Sequence, residues 1–241
     1  MLLNLLRNLG NLSPVTVLLM LASYAALVFL MLPIHECAHG LAAYWLGDHT
    51  AKWQGRLSLN PLRHLDLWGT LMLLVCGFGY ARPVPVNPYR FTKTNRKVGM
   101  ALTALAGPIS NLLMAWVSLL IFRLLVAVSG GHVESDGIYY TAAVPEWINY
   151  AVVVLVQIFA GINIGLAVFN LLPIHPLDGS RILSSFLPDK LLWTLERYGQ
   201  YITWALMAVL LFTDVLDRPL HFLQYHIGGL LCLLSGLPNM F

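Results

Sequence analysis

Long apolar runs separated by short polar connections dominate this chain of 241 residues. A helix needs about 20 mostly apolar residues to cross a lipid bilayer. Three segments clearly meet that requirement, and two weaker ones follow toward the C-terminus. These five segments span residues 15–45, 98–128, 147–172, 191–211 and 220–237. The pattern predicts an all-α polytopic membrane protein with about five to six transmembrane helices.

The composition supports a membrane location and gives no sign of a nucleic-acid partner. Hydrophobic residues make up 58% of the chain and charged residues only 10%, whereas soluble domains carry about 25% charged residues. The net charge of +3 is better explained by loop charges that set topology. We expect one domain over residues 1–241, with a core at 15–185 and a C-terminal helical pair at 190–237.

The charges of the connections orient the predicted helices. Residues 47–97 contain eight Lys and Arg residues, whereas residues 129–146 contain Glu134, Asp136 and Glu146 and no basic residue. By the positive-inside rule the first connection is cytoplasmic and the second external. The N-terminus is then outside, and the last two crossings return the C-terminus to the cytoplasm. We expect a multi-pass protein of the plasma or inner membrane.

The long basic connection is expected to form a small strand-like, re-entrant region between the first two crossings. Residues 67–79 are apolar but too short to cross, so they should dip into the membrane and return. Residues 50–59 alternate loosely and predict a strand, and the prolines of residues 82–88 predict extended chain. Such backbone must pack on protein or line a wet cavity, where an extended peptide can be added as a strand.

The sequence His35-Glu36-Cys37-Ala38-His39 has the pattern H-E-x-x-H, and no charged residue occurs between positions 8 and 34. Histidines four apart lie about 40° apart around a helix, so both can reach one metal ion. Glu36 lies beside them and can act on a water molecule. Ionisable groups at membrane depth usually serve a function. The alternative is a structural helix whose histidines and glutamate bond to neighbouring side chains.

A third metal ligand must come from elsewhere in the chain, because a catalytic zinc usually has three protein ligands. Residues 170–179 end the third crossing on the same predicted side as His35. Pro173 and Pro176 interrupt the helix there and let a side chain turn inward. His175 and Asp178 are both suitable ligands, and spacing alone does not choose between them. A simple surface turn is the alternative, since Asp-Gly is a common turn dipeptide.

Together, these motifs resemble the site-2 protease family of intramembrane zinc metalloproteases, peptidase family M50. The resemblance covers roughly residues 15–185 and is closest to the small prokaryotic branch. It rests on H-E-x-x-H in an apolar segment, on Asn-x-x-Pro-x-x-Pro-Leu-Asp-Gly at 170–179, and on the stretches at 55–61, 64–66, 69–71, 81–88 and 106–111.

The resemblance implies one Zn²⁺ per chain, with His35, His39 and Asp178 as its ligands and Glu36 as the base. It further implies that Asn170 holds the substrate or the developing oxyanion. His175 stands where this branch often has proline, so it is either a supporting partner of the site or a competitor for metal.

Three more polar residues carry two interpretations each. His64 and Asp66 either support the site or lie on an interfacial turn. Asn111 either bonds across helices near the cleft or satisfies backbone freed by Pro108.

The predicted activity is hydrolysis of peptide bonds in or near transmembrane segments of membrane proteins, with the active site toward the cytoplasm. A membrane metal transporter and a catalytically silent membrane scaffold are the alternatives. The oligomeric state is not predicted.

Overall fold

The computed structural model describes residues 14–76, 81–133, 139–140, 145–213 and 215–241. Most of the described residues, 74%, are helical. The helices are α1 (Pro14–Trp45), α2 (Thr50–Trp53), α3 (Leu67–Cys76), α4 (Arg96–Val128), α5 (Glu146–Asn170), α6 (Asp178–Ser184), α7 (Asp189–Phe212) and α8 (Asp217–Leu234). Two short strands, β1 (His132–Val133) and β2 (Tyr139–Tyr140), pair antiparallel.

Three of the described helices are long and apolar enough to cross a membrane. They are Pro14–Trp45, Arg96–Val128 and Ala151–Asn170 within α5. They correspond to the predicted crossings at 15–45, 98–128 and 147–172, so the prediction of a multi-pass membrane protein is confirmed. The other two predicted segments, 191–211 and 220–237, form α7 and α8.

Two apolar clusters hold the bundle together. The larger packs α4, α5 and α8 around the fully buried side chains of Leu119, Phe122, Ile164 and Cys232. The smaller is built from Leu27, Val28, Met31 and Leu73, with Met114 of α4 packed against it. The first three of these lie in the π-helical turn Leu27–Met31 of α1. The metal-motif residues follow directly, in the α-helical part Leu32–Trp45.

The expected strand at residues 50–59 is wrong, because this stretch begins with helix α2. The cause is local. Asp48 is fully buried, and its carboxylate accepts hydrogen bonds from the backbone N–H and the hydroxyl of Thr50. This i to i+2 contact forms a turn directly before α2. Gly55, with φ of +65°, then turns the chain after α2.

The rest of the basic connection follows the prediction more closely. The apolar segment predicted to dip into the membrane contains the ten-residue helix α3, and residues 77–79 lie outside the described part. At about 1.5 Å per residue, α3 is too short to cross. Residues 81–87 contain no helix or strand, in agreement with their prolines.

The connection that is predicted to be external contains the antiparallel pair of β1 and β2, with His132 opposite Tyr140. These strands have two residues each, and no pattern in the sequence predicts them. Glu134 and Asp136, on which the external assignment rests, lie outside the described residues.

Candidate metal centre

His35 and His39 lie on one face of α1, as their spacing requires. Their Nε2 atoms are 3.1 Å apart, and their rings meet edge to face at 88° with centroids 4.7 Å apart. Both side chains are buried. Two imidazole nitrogens therefore point at the same small volume inside the helical bundle.

Asp178, the first residue of α6, completes the group. Its Oδ2 atom lies 3.2 Å from Nε2 of His35 and 3.2 Å from Nε2 of His39. The three ligand atoms lie within 4.8 Å of one another and can hold a metal ion. Burial raises the pKa of the Asp178 carboxyl, but the two adjacent imidazoles lower it more, so the pKa of Asp178 lies below its ordinary value.

The loop that delivers Asp178 is tightly docked on the end of α5. A Cβ added at Gly179 would lie 2.5 Å from the carbonyl carbon of Leu171 and would also collide with the oxygens of Leu171 and Leu172. Only glycine allows such an approach between α6 and the preceding turn. The close contact fixes where α6 begins, and with it the position of the Asp178 carboxylate.

Helix α4 packs against Nε2 and Cε1 of His39 and against Cε1 of His35. A Cβ at Gly107 would lie 2.5 Å from Cε1 of His39 and 2.6 Å from Cε1 of His35, so any side chain there would displace both rings. The backbone carbonyl of Thr103 lies 2.7 Å from Nδ1 of His39. This contact makes Nδ1 the protonated nitrogen and leaves Nε2 free to bind a metal. Two imidazole nitrogens and one carboxylate oxygen in this preformed space fit a zinc ion.

Glu36 lies beside the histidines and contacts the irregular segment 81–87. Its Oε2 atom accepts a hydrogen bond from the backbone N–H of Val84 at 3.1 Å. Arg56 is buried and donates through Nη2 to the carbonyls of Arg82, at 2.5 Å, and Pro83, at 3.3 Å. The same segment is tied further along by the Asn87 N–H, which donates to Asp48 Oδ2 at 2.6 Å. Glu36 thus lies at the edge of a segment held by buried charged side chains.

The charges near Arg56 shift the pKa of its guanidinium in opposite directions. Burial lowers the pKa of the Arg56 guanidinium, and Arg82 lowers it further, whereas the negative charge of Glu36 raises it. Arg56 and Glu36 are therefore electrostatically coupled across the segment that both of them contact.

The remaining predicted residues lie elsewhere. His175 is exposed, and its Nδ1 is 2.9 Å from the Thr203 hydroxyl of α7, so it does not belong to the group of potential ligands. Asn170 ends α5, and its amide donates to the carbonyl of Leu166. His64 is fully buried and contacts the carbonyl of Ser58 at 2.6 Å. Asp66 caps the start of α3 through the N–H of Gly69.

Three residues, Arg56, Thr103 and Gly107, contribute to the site although the sequence did not predict a role for them. Arg56 and Gly107 lie within stretches that carry the family resemblance, but no chemical role follows from their residue types. Thr103 acts through its backbone carbonyl, which any residue could supply, so the sequence carried no signal for it.

A metal-dependent hydrolase is the class of protein that such a helical membrane bundle and these buried groups define. The chain belongs to peptidase family M50, whose family model matches residues 23–213, and the resemblance seen in the sequence is thereby confirmed.

Curated relatives carry zinc metalloprotease names. The protein named zinc metalloprotease YwhC from Bacillus subtilis is 41% identical over 179 residues, which cover 73% of this chain and 75% of that protein. Two proteins named zinc metalloprotease Rip2 are more distant. The one from Mycolicibacterium smegmatis is 27% identical over 77% of this chain and 64% of its own length. The one from Mycobacterium tuberculosis (strain ATCC 25618 / H37Rv) is 30% identical over 74% of this chain and 62% of its own length.

The match thus spans slightly less than two thirds of either Rip2 protein. No solved structure matches the chain. Family and relatives together identify a zinc metalloprotease.

Proposed function

We propose that this protein hydrolyses peptide bonds in or near transmembrane segments of membrane proteins, with His35, His39 and Asp178 holding one zinc ion and Glu36 acting as the base. The observation that carries the proposal is the convergence of three buried ligand atoms within 4.8 Å of one another. Two of these atoms belong to a helix long and apolar enough to cross the membrane. Glu36 in the same helix adds the group that hydrolysis needs and that metal storage or structural binding does not.

Bound zinc supplies a Lewis acid, which polarises the scissile carbonyl and makes water a better nucleophile at neutral pH. The protein supplies the rest of the chemistry. Glu36 accepts a proton from the attacking water and passes it to the leaving amine. The Val84 N–H holds one carboxylate oxygen of Glu36 in place, so the other oxygen remains available for proton transfer.

The substrate must be unwound before attack, because a helix engages its carbonyls in internal hydrogen bonds. The irregular segment 81–87 is the surface that we assign to holding an extended substrate beside Glu36. Asn170 is assigned to the substrate or the developing oxyanion. Its amide donates to Leu166 in the free protein, so it must rotate away from that carbonyl to reach a substrate.

The cytoplasmic orientation of the site follows from loop charge. The motif lies in the last turns of α1, and the connection that begins shortly after it carries eight basic residues. The positive-inside rule places this connection, and the nearby end of α1, in the cytoplasm. With α7 and α8 added to the three long helices, the chain makes five crossings as a single domain. The two rival functions, metal transport and a silent scaffold, are disfavoured by membership in a peptidase family.

The decisive test compares the wild type with Glu36→Gln in proteoliposomes containing a panel of single-span membrane proteins. Zinc content and cleavage are measured on the same preparations. The isosteric exchange should leave zinc content unchanged and lower the cleavage rate by about 10²- to 10⁴-fold, the usual contribution of a general base. The control is Asp217→Asn, the same type of exchange at an exposed residue at the start of α8, which should cleave like the wild type.

Cleavage by Glu36→Gln at the wild-type rate would contradict the assignment of the base. Zinc transport that persists in this variant, without any cleavage by the wild type, would favour a transporter instead.

A further inference from the structure

The two histidines of the metal centre differ in how their second ring nitrogens are satisfied. Nδ1 of His39 meets the Thr103 carbonyl at 2.7 Å. Nδ1 of His35 is equally buried but has no hydrogen-bond partner among the described residues. When Nε2 of His35, which faces His39 and Asp178, binds a metal ion, the proton of the neutral ring resides on Nδ1. A ligating histidine almost always donates this second N–H to a carboxylate, a carbonyl or a water molecule.

Asn111 of α4 is a second buried polar residue whose side chain lacks hydrogen-bond partners among the described residues. Its side chain is fully buried, and neither Oδ1 nor Nδ2 has a partner in the described part of the chain. A buried amide left without hydrogen bonds costs about 1–3 kcal/mol. An apolar side chain of similar size would avoid that penalty, so packing alone gives no reason for asparagine at this position.

The contacts of neighbouring α4 residues indicate that Asn111 lies on the side of α4 that faces α1. Thr103, Gly107 and Asn111 are spaced four residues apart and therefore share one face of the helix. The first contacts His39 and the second faces both imidazoles. Further along α4, Met114 packs on the apolar cluster that contains Met31. Met31 lies one helical turn before His35 in α1. Asn111 thus lies between the imidazoles and that cluster, about 6 Å deeper along α4 than Gly107.

We propose that Asn111 binds an ordered water molecule that links it to His35. The water accepts a hydrogen bond from Nδ1–H of His35 and donates one to Oδ1 of Asn111, so each of these two atoms gains a partner. The two side chains make no direct hydrogen bond, and a bridging water links such groups at little cost. Asn111 is then a positioning residue that fixes the tautomer and the ring orientation of His35, as Thr103 does for His39. The inference rests on the proposed role of His35 as a zinc ligand.

The test measures zinc affinity by competition with a chelator, and the thermal stability of the zinc-free protein, for the full chain in detergent. Asn111→Leu should weaken zinc binding by about 10- to 100-fold. The thermal unfolding of the zinc-free variant should remain cooperative, which separates a loss of zinc binding from a loss of the fold. Asn111→Asp retains the acceptor oxygen and should bind zinc much more tightly than Asn111→Leu.

Asn163→Leu is the matched control. Asn163 is also a fully buried asparagine with an unpartnered Oδ1 among the described residues, but it lies in α5 and donates to Phe159. This variant should keep the wild-type zinc affinity. Asn111→Ala, which cannot overfill the space, is measured in parallel in case the leucine variant does not fold.

Wild-type zinc affinity in both Asn111→Leu and Asn111→Ala would overturn the inference. A different pattern would implicate the proposed function itself. If the wild type binds no zinc, or if His35→Ala binds it equally well, the assignment of the ligands is wrong.

Discussion

Replacing Gly107 by alanine should destroy the metal centre while leaving helix α4, in which Gly107 lies, intact. The added Cβ would lie 2.5 Å from His39 Cε1 and 2.6 Å from His35 Cε1, whereas ordinary contact begins at 3.4 Å. Each ring must therefore retreat by close to 1 Å, or α4 must move away by that distance. Metal sites tolerate deviations of only about 0.2 Å in ligand distances.

The expected magnitude follows from this comparison. Two of the three ligands are displaced by several times the tolerated distance, so zinc affinity should fall by at least about 100-fold, or about 2.8 kcal/mol. The helix itself gains from the exchange, because alanine is favoured over glycine in a helix interior by about 1 kcal/mol. Loss of metal without loss of helix is the signature of this mechanism.

The assay is chelator competition for zinc on the purified full chain, together with circular dichroism to monitor helix content. Gly161→Ala in α5 is the control, since the nearest atom to its added Cβ is Phe241 Cε1 at an ordinary 3.8 Å. It should bind zinc like the wild type. A Gly107→Ala protein with wild-type zinc affinity would refute the view that α4 shapes the site by direct contact with both imidazoles.

Two further predictions concern residues near the site. Arg56→Met removes the donor to the Arg82 and Pro83 carbonyls. This variant should be less stable than the wild type by about 1–3 kcal/mol and should cleave more slowly. Arg56→Lys keeps a donor and should retain part of the stability and part of the activity. Thermal unfolding and cleavage assays test this, and an Arg56→Met protein as stable and active as the wild type would contradict it. His175→Ala should keep the wild-type zinc affinity because His175 contacts Thr203, whereas Asp178→Asn should bind zinc weakly. Chelator competition measures the zinc affinity of the two variants side by side. A large loss of zinc affinity in His175→Ala would show that His175 reaches the metal.

Much of this architecture is predictable from sequence, for physical reasons that differ between elements. Bilayer thickness imposes long apolar runs, so the helices at Pro14–Trp45 and Arg96–Val128 are readable from hydrophobicity alone. The spacing of His35 and His39 fixes their common face once the helix is recognised. The structure brings Asp178 to this pair and leaves His175 outside, a choice that spacing could not make.

The parts that escaped prediction depend on tertiary contacts or on capping. The loose alternation at residues 50–59 suggested a strand, but the buried Asp48 carboxylate forms a turn with Thr50, and the chain continues as a short helix. The Thr103 carbonyl and the space at Gly107 acquire meaning only when α4 packs against α1. Likewise, the hold of Arg56 on the Arg82 carbonyl joins segments that the sequence gives no reason to pair.

The separation of the ligands along the chain has a consequence for biosynthesis. The histidine pair is made early, in the first long helix, whereas Asp178 follows only after α4 and α5 have been synthesised. With the proposed ligands, a partly translated chain in the membrane carries two imidazoles but no third ligand. The complete ligand set, and the hydrolytic capacity that depends on it, then arises only when the later helices have packed against the first.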